Sequence, residues 1–163
     1  MLEKVTVRDV RNINKVNIIK SLMSNRDLSR NSIAALNNIS VMTVKNIVDD
    51  LMAKNIIYEK KIDKSPVGRI PTVLNIYETI GYILAIDLSS KSILYYVIYN
   101  VYRNKVSDGY YNCNPNVSYE ENLKEFIRHV KDVILKNEYK NIIGIGISVP
   151  GVYNAEQDTV NNE

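Results

Sequence analysis

At 163 residues, with 45% hydrophobic and 24% charged positions, the chain is long enough for one domain or two small ones with packed cores. A single cysteine, Cys113, excludes a disulfide framework or a cysteine zinc cluster, and no uninterrupted apolar run is long enough to span a membrane. The net charge of +3 conceals a division: residues 1–72 hold 13 Lys+Arg against 7 Asp+Glu, while the remainder holds 8 against 11, so phosphate contact is expected of the front only.

Met1 to Arg11 alternates charge with single apolar residues, which is a loose basic leader and not a signal peptide. With a lone cysteine that has no obvious base beside it, this fits a reducing cytoplasm. Asn12 or Asn14 is expected to cap a first helix in which Val16, Ile19, Leu22 and Met23 face inward. Ser24 to Asp27 then turns the chain.

The stretch Leu28 to Leu51, LSRNSIAALNNISVMTVKNIVDDL, predicts two short helices joined by a tight turn. Ser29 caps the first, which buries Ile33 and Leu36 while Ala34 and Ala35 permit a close crossing. Asn37, Asn38 and Ile39 make the turn. Ser40 caps the second helix, whose hydroxyl can accept an N–H of the first turn. Val44, Ile47, Val48 and Leu51 recur at helical spacing and form the packing face. Met42, Lys45, Asn46 and Asp49 lie on the opposite side. Exposed polar donors on the first two turns suit a major groove, with its base edges and flanking phosphates. A helical hairpin with no nucleic-acid role fits the local pattern equally well.

Asn55 suits the left-handed end of a helix. Ile56 to Ile62 and Thr72 to Ile76 predict two strands, joined through KSPVGRIP into a wing whose tip is confined by Pro66, Gly68 and Pro71. Arg69 beside Gly68 is placed to enter a minor groove, because glycine permits close backbone approach and narrow grooves attract arginine. Lys60, Lys61 and Lys64 would serve phosphates; the competing reading is a solvated hairpin.

These residues resemble the repressor branch of the ROK family, which joins sugar-responsive repressors and sugar kinases. The resemblance rests on Leu28-Ser29-Arg30 with Ile33-Ala34, on Ile39-Ser40 with Thr43-Val44, and on Gly68-Arg69-Ile70-Pro71, three ordered motifs at matching separations. It implies an N-terminal winged helix-turn-helix. Lys45 and Asn46 stand where the family usually has Ser or Arg, so the operator preference need not match that of relatives.

Beyond a short connector at Tyr77 to Gly81, three strands are expected at Tyr82–Asp87, Ser92–Tyr99 and Lys105–Tyr111, forming an antiparallel meander. A helix from Tyr119 to Asn137 would bury Leu123, Phe126, Ile127, Val130, Val133 and Ile134, leaving His129 as a surface histidine. In the strand Ile142 to Ser148, isoleucines alternate with Gly144, Gly146 and Ser148, and Pro150-Gly151 breaks it.

The resemblance continues through Gly81 to Asp87 and Gly144 to Gly151, and implies the opening of an actin-like, ribonuclease-H-like lobe. In the family's kinases the first stretch continues Asp-x-Gly-Gly-Thr as a phosphate-binding turn. Here it reads Asp87-Leu88-Ser89-Ser90-Lys91, without the glycines that let amides point at phosphate. Asp87 is either a metal or hydroxyl ligand or a cap of its turn. Pro150 and Gly151 match the family's turn near the sugar pocket. The catalytic aspartate, the Glu-x-Gly-His motif and the cysteine-rich zinc site lie farther along the family pattern and have no counterpart here, so the chain reads as a gene fragment or a shortened paralogue.

The expected fold is thus α+β: a winged helix-turn-helix over residues 1–76, a connector at 77–81 and an incomplete actin-like lobe over 82–163. The expected function is sequence-specific regulation of transcription, namely repression of carbohydrate genes, with double-stranded DNA as partner. Ser29, Arg30, Ser40, Met42, Thr43, Lys45, Asn46, Lys60, Lys64, Gly68 and Arg69 form the DNA-binding set. Asp87, Pro150 and Gly151 are candidates for contact with a sugar effector. No catalytic residue, metal or cofactor is expected. Half a lobe would leave apolar surface uncovered, which predicts a homo-oligomer. The alternatives are an ATP-dependent sugar kinase and an accessory or dimerisation protein whose helices serve protein contact.

Overall fold

The structure is a computed structural model that describes residues 6–62, 71–157 and 159–161. It is a mixed α+β chain in two compact units, Met1–Ile80 and Gly81–Glu163.

The first unit contains α1 (Val7–Ser24), α2 (Arg30–Asn37), α3 (Val41–Ala53), β1 (Ile57–Lys61) and β2 (Thr72–Ile76), followed by a 3-10 turn at Glu78–Ile80. The expected start of α1 is corrected. Its cap is Thr6, several residues before Asn12, because Thr6 and Asp9 form a reciprocal capping box. The Thr6 N–H donates to Asp9 Oδ2 at 2.8 Å, and the Asp9 N–H donates to Thr6 Oγ1 at 3.3 Å. Residues expected as a loose leader are therefore partly helical.

Ile18 and Leu22 of α1 are buried, with Ile33, Val44, Ile47, Val48, Leu51, Ile57, Leu74 and Ile76. Val16, Met23 and Leu36, expected inside, are exposed. A helical stripe fixes which residues share a side, but the width of the neighbouring element decides how many of them it covers.

Between α2 and α3 the chain reverses at Asn38, which adopts the left-handed conformation at φ 51°. An unbranched polar side chain tolerates that conformation. Asn55 does the same at φ 53° where α3 gives way to β1.

β1 and β2 pair antiparallel, Ile57 opposite Ile76 through Lys61 opposite Thr72. Leu28 adds a single antiparallel bridge to Leu74, whose N–H donates to the Leu28 carbonyl at 2.8 Å. Beside it, buried Asn75 accepts from the Asp27 N–H at 3.0 Å and donates to Asp27 Oδ1 at 2.7 Å. That pair holds Asp27 at φ 58° and fixes where the chain enters α2.

The second unit is a four-stranded sheet of order β5-β4-β3-β6, with β3 at Tyr82–Asp87, β4 at Ile93–Asn100, β5 at Lys105–Asn112 and β6 at Ile142–Ser148. The first three strands of the chain order form the antiparallel meander, and β6 returns parallel to β3 after α4 (Tyr119–Lys136). A parallel return needs a crossover connection, and α4 supplies it. A short hairpin, β7 (Val152–Asn154) and β8 (Thr159–Asn161), follows.

Strand alternation sends Tyr82, Leu84, Leu94, Tyr96 and Ile98 to one face, where they meet Phe126 and Val130 of α4. Leu123, Val133 and Ile134 pack around that cluster, whereas Ile127 is exposed, contrary to expectation. On the edge strand β6, Ile143, Ile145 and Ile147 are 59%, 62% and 57% exposed, so among the described residues this unit leaves an apolar strip uncovered.

Candidate nucleic-acid interface

Two helix starts define the geometry of α2 and α3. Ser29 Oγ accepts from the Ser32 N–H at 3.0 Å, and Ser40 Oγ accepts from the Thr43 N–H at 3.0 Å. Each cap hydroxyl also lies 2.8 Å from the hydroxyl it faces, Ser32 for Ser29 and Thr43 for Ser40. Three of the predicted DNA-binding residues, Ser29, Ser40 and Thr43, are thus joined in caps that set the direction of the two helices.

From its cap, α3 turns Val44, Ile47, Val48 and Leu51 fully inward. The same rotation leaves Met42, Lys45 and Asn46 exposed together on the outer first two turns, and Met42 is 64% exposed. Among the described residues, Lys45 and Asn46 carry no side-chain hydrogen bond or ion pair. Their donors and acceptors are free for a partner.

Asp50 follows on the inner side of this helix and is held between two cations. Hydrogen bonds from Lys15 of α1 and from Lys54 one turn on lower its carboxyl to about 2, against an ordinary value of 3.8. The carboxylate stays ionised, with its charge offset by the two ammonium groups beside it.

Arg30 opens α2, but its guanidinium is paired with Glu59 of β1, whose carboxyl is lowered first by that hydrogen bond. Lys60 is exposed on β1. Lys64, Gly68 and Arg69, the predicted wing tip, lie outside the described residues.

In the second unit, Asp87 ends β3 and its Oδ1 accepts from the Ser89 N–H at 2.9 Å. Hydrogen bonds from the Ser89 side chain and backbone, with a smaller one from Ser148, hold its carboxyl below the usual range. Asp87 therefore caps its own turn, one of the two roles expected of it. In the parallel register it stands opposite Ser148, and the two line a hollow of about 300 Å³ with Ala85, Tyr95, Val97 and Gly146 on the sheet. Pro150 and Gly151 are exposed just past the end of β6, with Gly151 at φ 111°. Nothing lies within 4 Å of where a side chain at Gly144 or Gly146 would begin.

No protein-family model matches the chain. It is 31% identical over 157 residues to a xylose repressor of Caldicellulosiruptor bescii, which covers 93% of this chain and 38% of that one. Xylose repressors of Staphylococcus xylosus and Bacillus subtilis are each 26% identical and cover 92% and 93% of the chain. The chain thus spans under two fifths of the length of the curated relatives it matches. Among solved structures, a ROK family transcriptional regulator, a homolog of the E. coli MLC protein, shares the fold over 93% of the chain with a TM-score of 0.61 at 16% identity.

Proposed function

We propose that the chain, 31% identical to a xylose repressor and folded like a ROK family transcriptional regulator, is a sequence-specific DNA-binding repressor of carbohydrate-metabolism genes. The observation that carries this reading is the outer face of α3. A helix with its inner stripe sealed and Met42, Lys45 and Asn46 exposed and unengaged on its first two turns has the form of a recognition helix. The names of the relatives support repression and sugar response.

In this reading residues 1–76 act as a winged helix-turn-helix, and residues 82–163 as part of an actin-like lobe. Asn46 pairs with adenine and Lys45 with guanine through the major groove. Lys60, Lys64 and Arg69 meet the backbone and the minor groove. Ser29, Ser40 and Thr43 act chiefly by aiming the helices, since their hydroxyls are already engaged. Arg30 steadies α2 against β1. Asp87, Pro150 and Gly151 mark the strand ends at which a sugar effector would be sensed.

The test is a titration of duplexes that differ at one base pair. Asn46→Ala should lose ~1–3 kcal/mol of discrimination at a single position. Lys60→Ala should weaken every duplex alike and flatten the salt dependence. If neither variant changes binding, α3 and the hairpin are not the docking face.

A further inference from the structure

Between α1 and α3 lies an open groove of about 360 Å³, lined by Val10, Arg11, Asn14, Thr43, Asn46 and Ile47. Of its lining, Ile47 is buried, and Val10, Arg11 and Asn46 are exposed. Asn46, the residue read above as facing a base, forms one wall, and Arg11 and Asn14 of α1 form the other.

The cations of the first unit are not equivalent. Lys15 and Lys54 are held by Asp50, Arg26 by Glu78, and Arg30 by Glu59. Arg11 is exposed, and among the described residues it makes no ion pair or side-chain hydrogen bond, nor does Asn14. Arg8 follows the same pattern one turn earlier on α1. Asp9, the acidic residue between them, is engaged by Thr6, through hydrogen bonds that lower its carboxyl. Among the described residues, the start of α1 therefore presents unpaired guanidinium beside the outer face of α3.

We propose that Arg11, with Asn14 beside it, is a phosphate-binding residue of the interface, so that α1 grips the backbone flanking the groove that α3 enters. The proposal rests on the DNA-binding reading. A guanidinium gives two parallel donors to phosphate oxygens, and the Asn14 amide adds another. Arg30, which belongs to the expected DNA-binding set, is paired with Glu59 and makes no such contact in this arrangement. Such contacts fix register and carry no base preference.

The experiment titrates full chains with a preferred duplex and an unrelated one across a salt series. Variants are Arg11→Gln, Arg11→Lys and Arg30→Gln, each checked for intact helical circular dichroism. Arg11→Gln should weaken both duplexes by the same factor and make the log–log salt slope shallower by about 0.9, the value of one phosphate contact. Arg11→Lys should restore most of that slope, and Arg30→Gln should leave it unchanged. An unchanged slope for Arg11→Gln, with wild type still binding in a salt-dependent way, overturns the role of Arg11 alone. So does a loss confined to the preferred duplex, which would make Arg11 a base reader. Wild type that binds neither duplex overturns the DNA-binding reading itself.

Discussion

Asn122 is buried on α4, and its carboxamide is directed into the loop before the helix. Its Oδ1 accepts from the Asn114 N–H at 2.7 Å, and its Nδ2 donates to the carbonyl of Asn114 at 3.0 Å. Replacement by leucine would leave the N–H and the carbonyl of Asn114 without the carboxamide that joins them. We expect Asn122→Leu to cost ~1–3 kcal/mol, read as a lower urea midpoint at unchanged slope. An unchanged midpoint would mean that water already satisfies that loop. Asn75 and Asn100 work in the same way, Asn75 on Asp27 and Asn100 on the turn to Asn104, where its Oδ1 accepts from the N–H groups of Tyr102 and Asn104 at 3.0 Å each. None of these roles was legible beforehand, because an asparagine inside a strand or helix pattern carries no signal of what its amide will meet.

At the scale of elements, the join between α1 and α3 depends on Asp50. Its carboxyl is lowered from 3.8 to about 2, chiefly by the hydrogen bond from Lys15. A depressed folded-state value contributes stability above the unfolded one and loses it as pH falls through the folded one. Wild type should therefore lose thermal stability between about pH 4 and pH 2 more steeply than Asp50→Asn, in melts followed by helical circular dichroism. Parallel curves would show that the lysines do not hold that carboxylate in solution.

Strand bounds were read closely from the sequence. Thr72–Ile76, Tyr82–Asp87 and Ile142–Ser148 form as expected, because their apolar runs stand beside a breaker at one end, Pro71, Gly81 and Pro150 respectively. Helix α1 was misjudged at its start: a Thr-x-x-Asp pair can close a capping box as Thr-x-x-Glu does, and it stood before the residues taken as a cap. That error also hid Arg11, which a loose leader would not hold beside α3. The outer face of α3 was legible because one stripe of four apolar residues fixes the other side by geometry. The pairing of Arg30 with Glu59 was not, since it joins residues 29 apart.

For the whole molecule, no helix among the described residues is long and apolar enough to cross a membrane, and the exposed isoleucines of β6 are the surface through which we propose that a second copy pairs. A pair of copies that binds one duplex through both α3 helices would give the bound sequence a two-fold repeat. Selection from a random duplex pool, followed by titration of the recovered sequence at two salt concentrations, therefore tests the account most directly. It predicts a recurrent motif, bound more weakly at higher salt and repeated in inverted orientation. Salt-sensitive binding with no recurrent motif, or no binding at all, would contradict it.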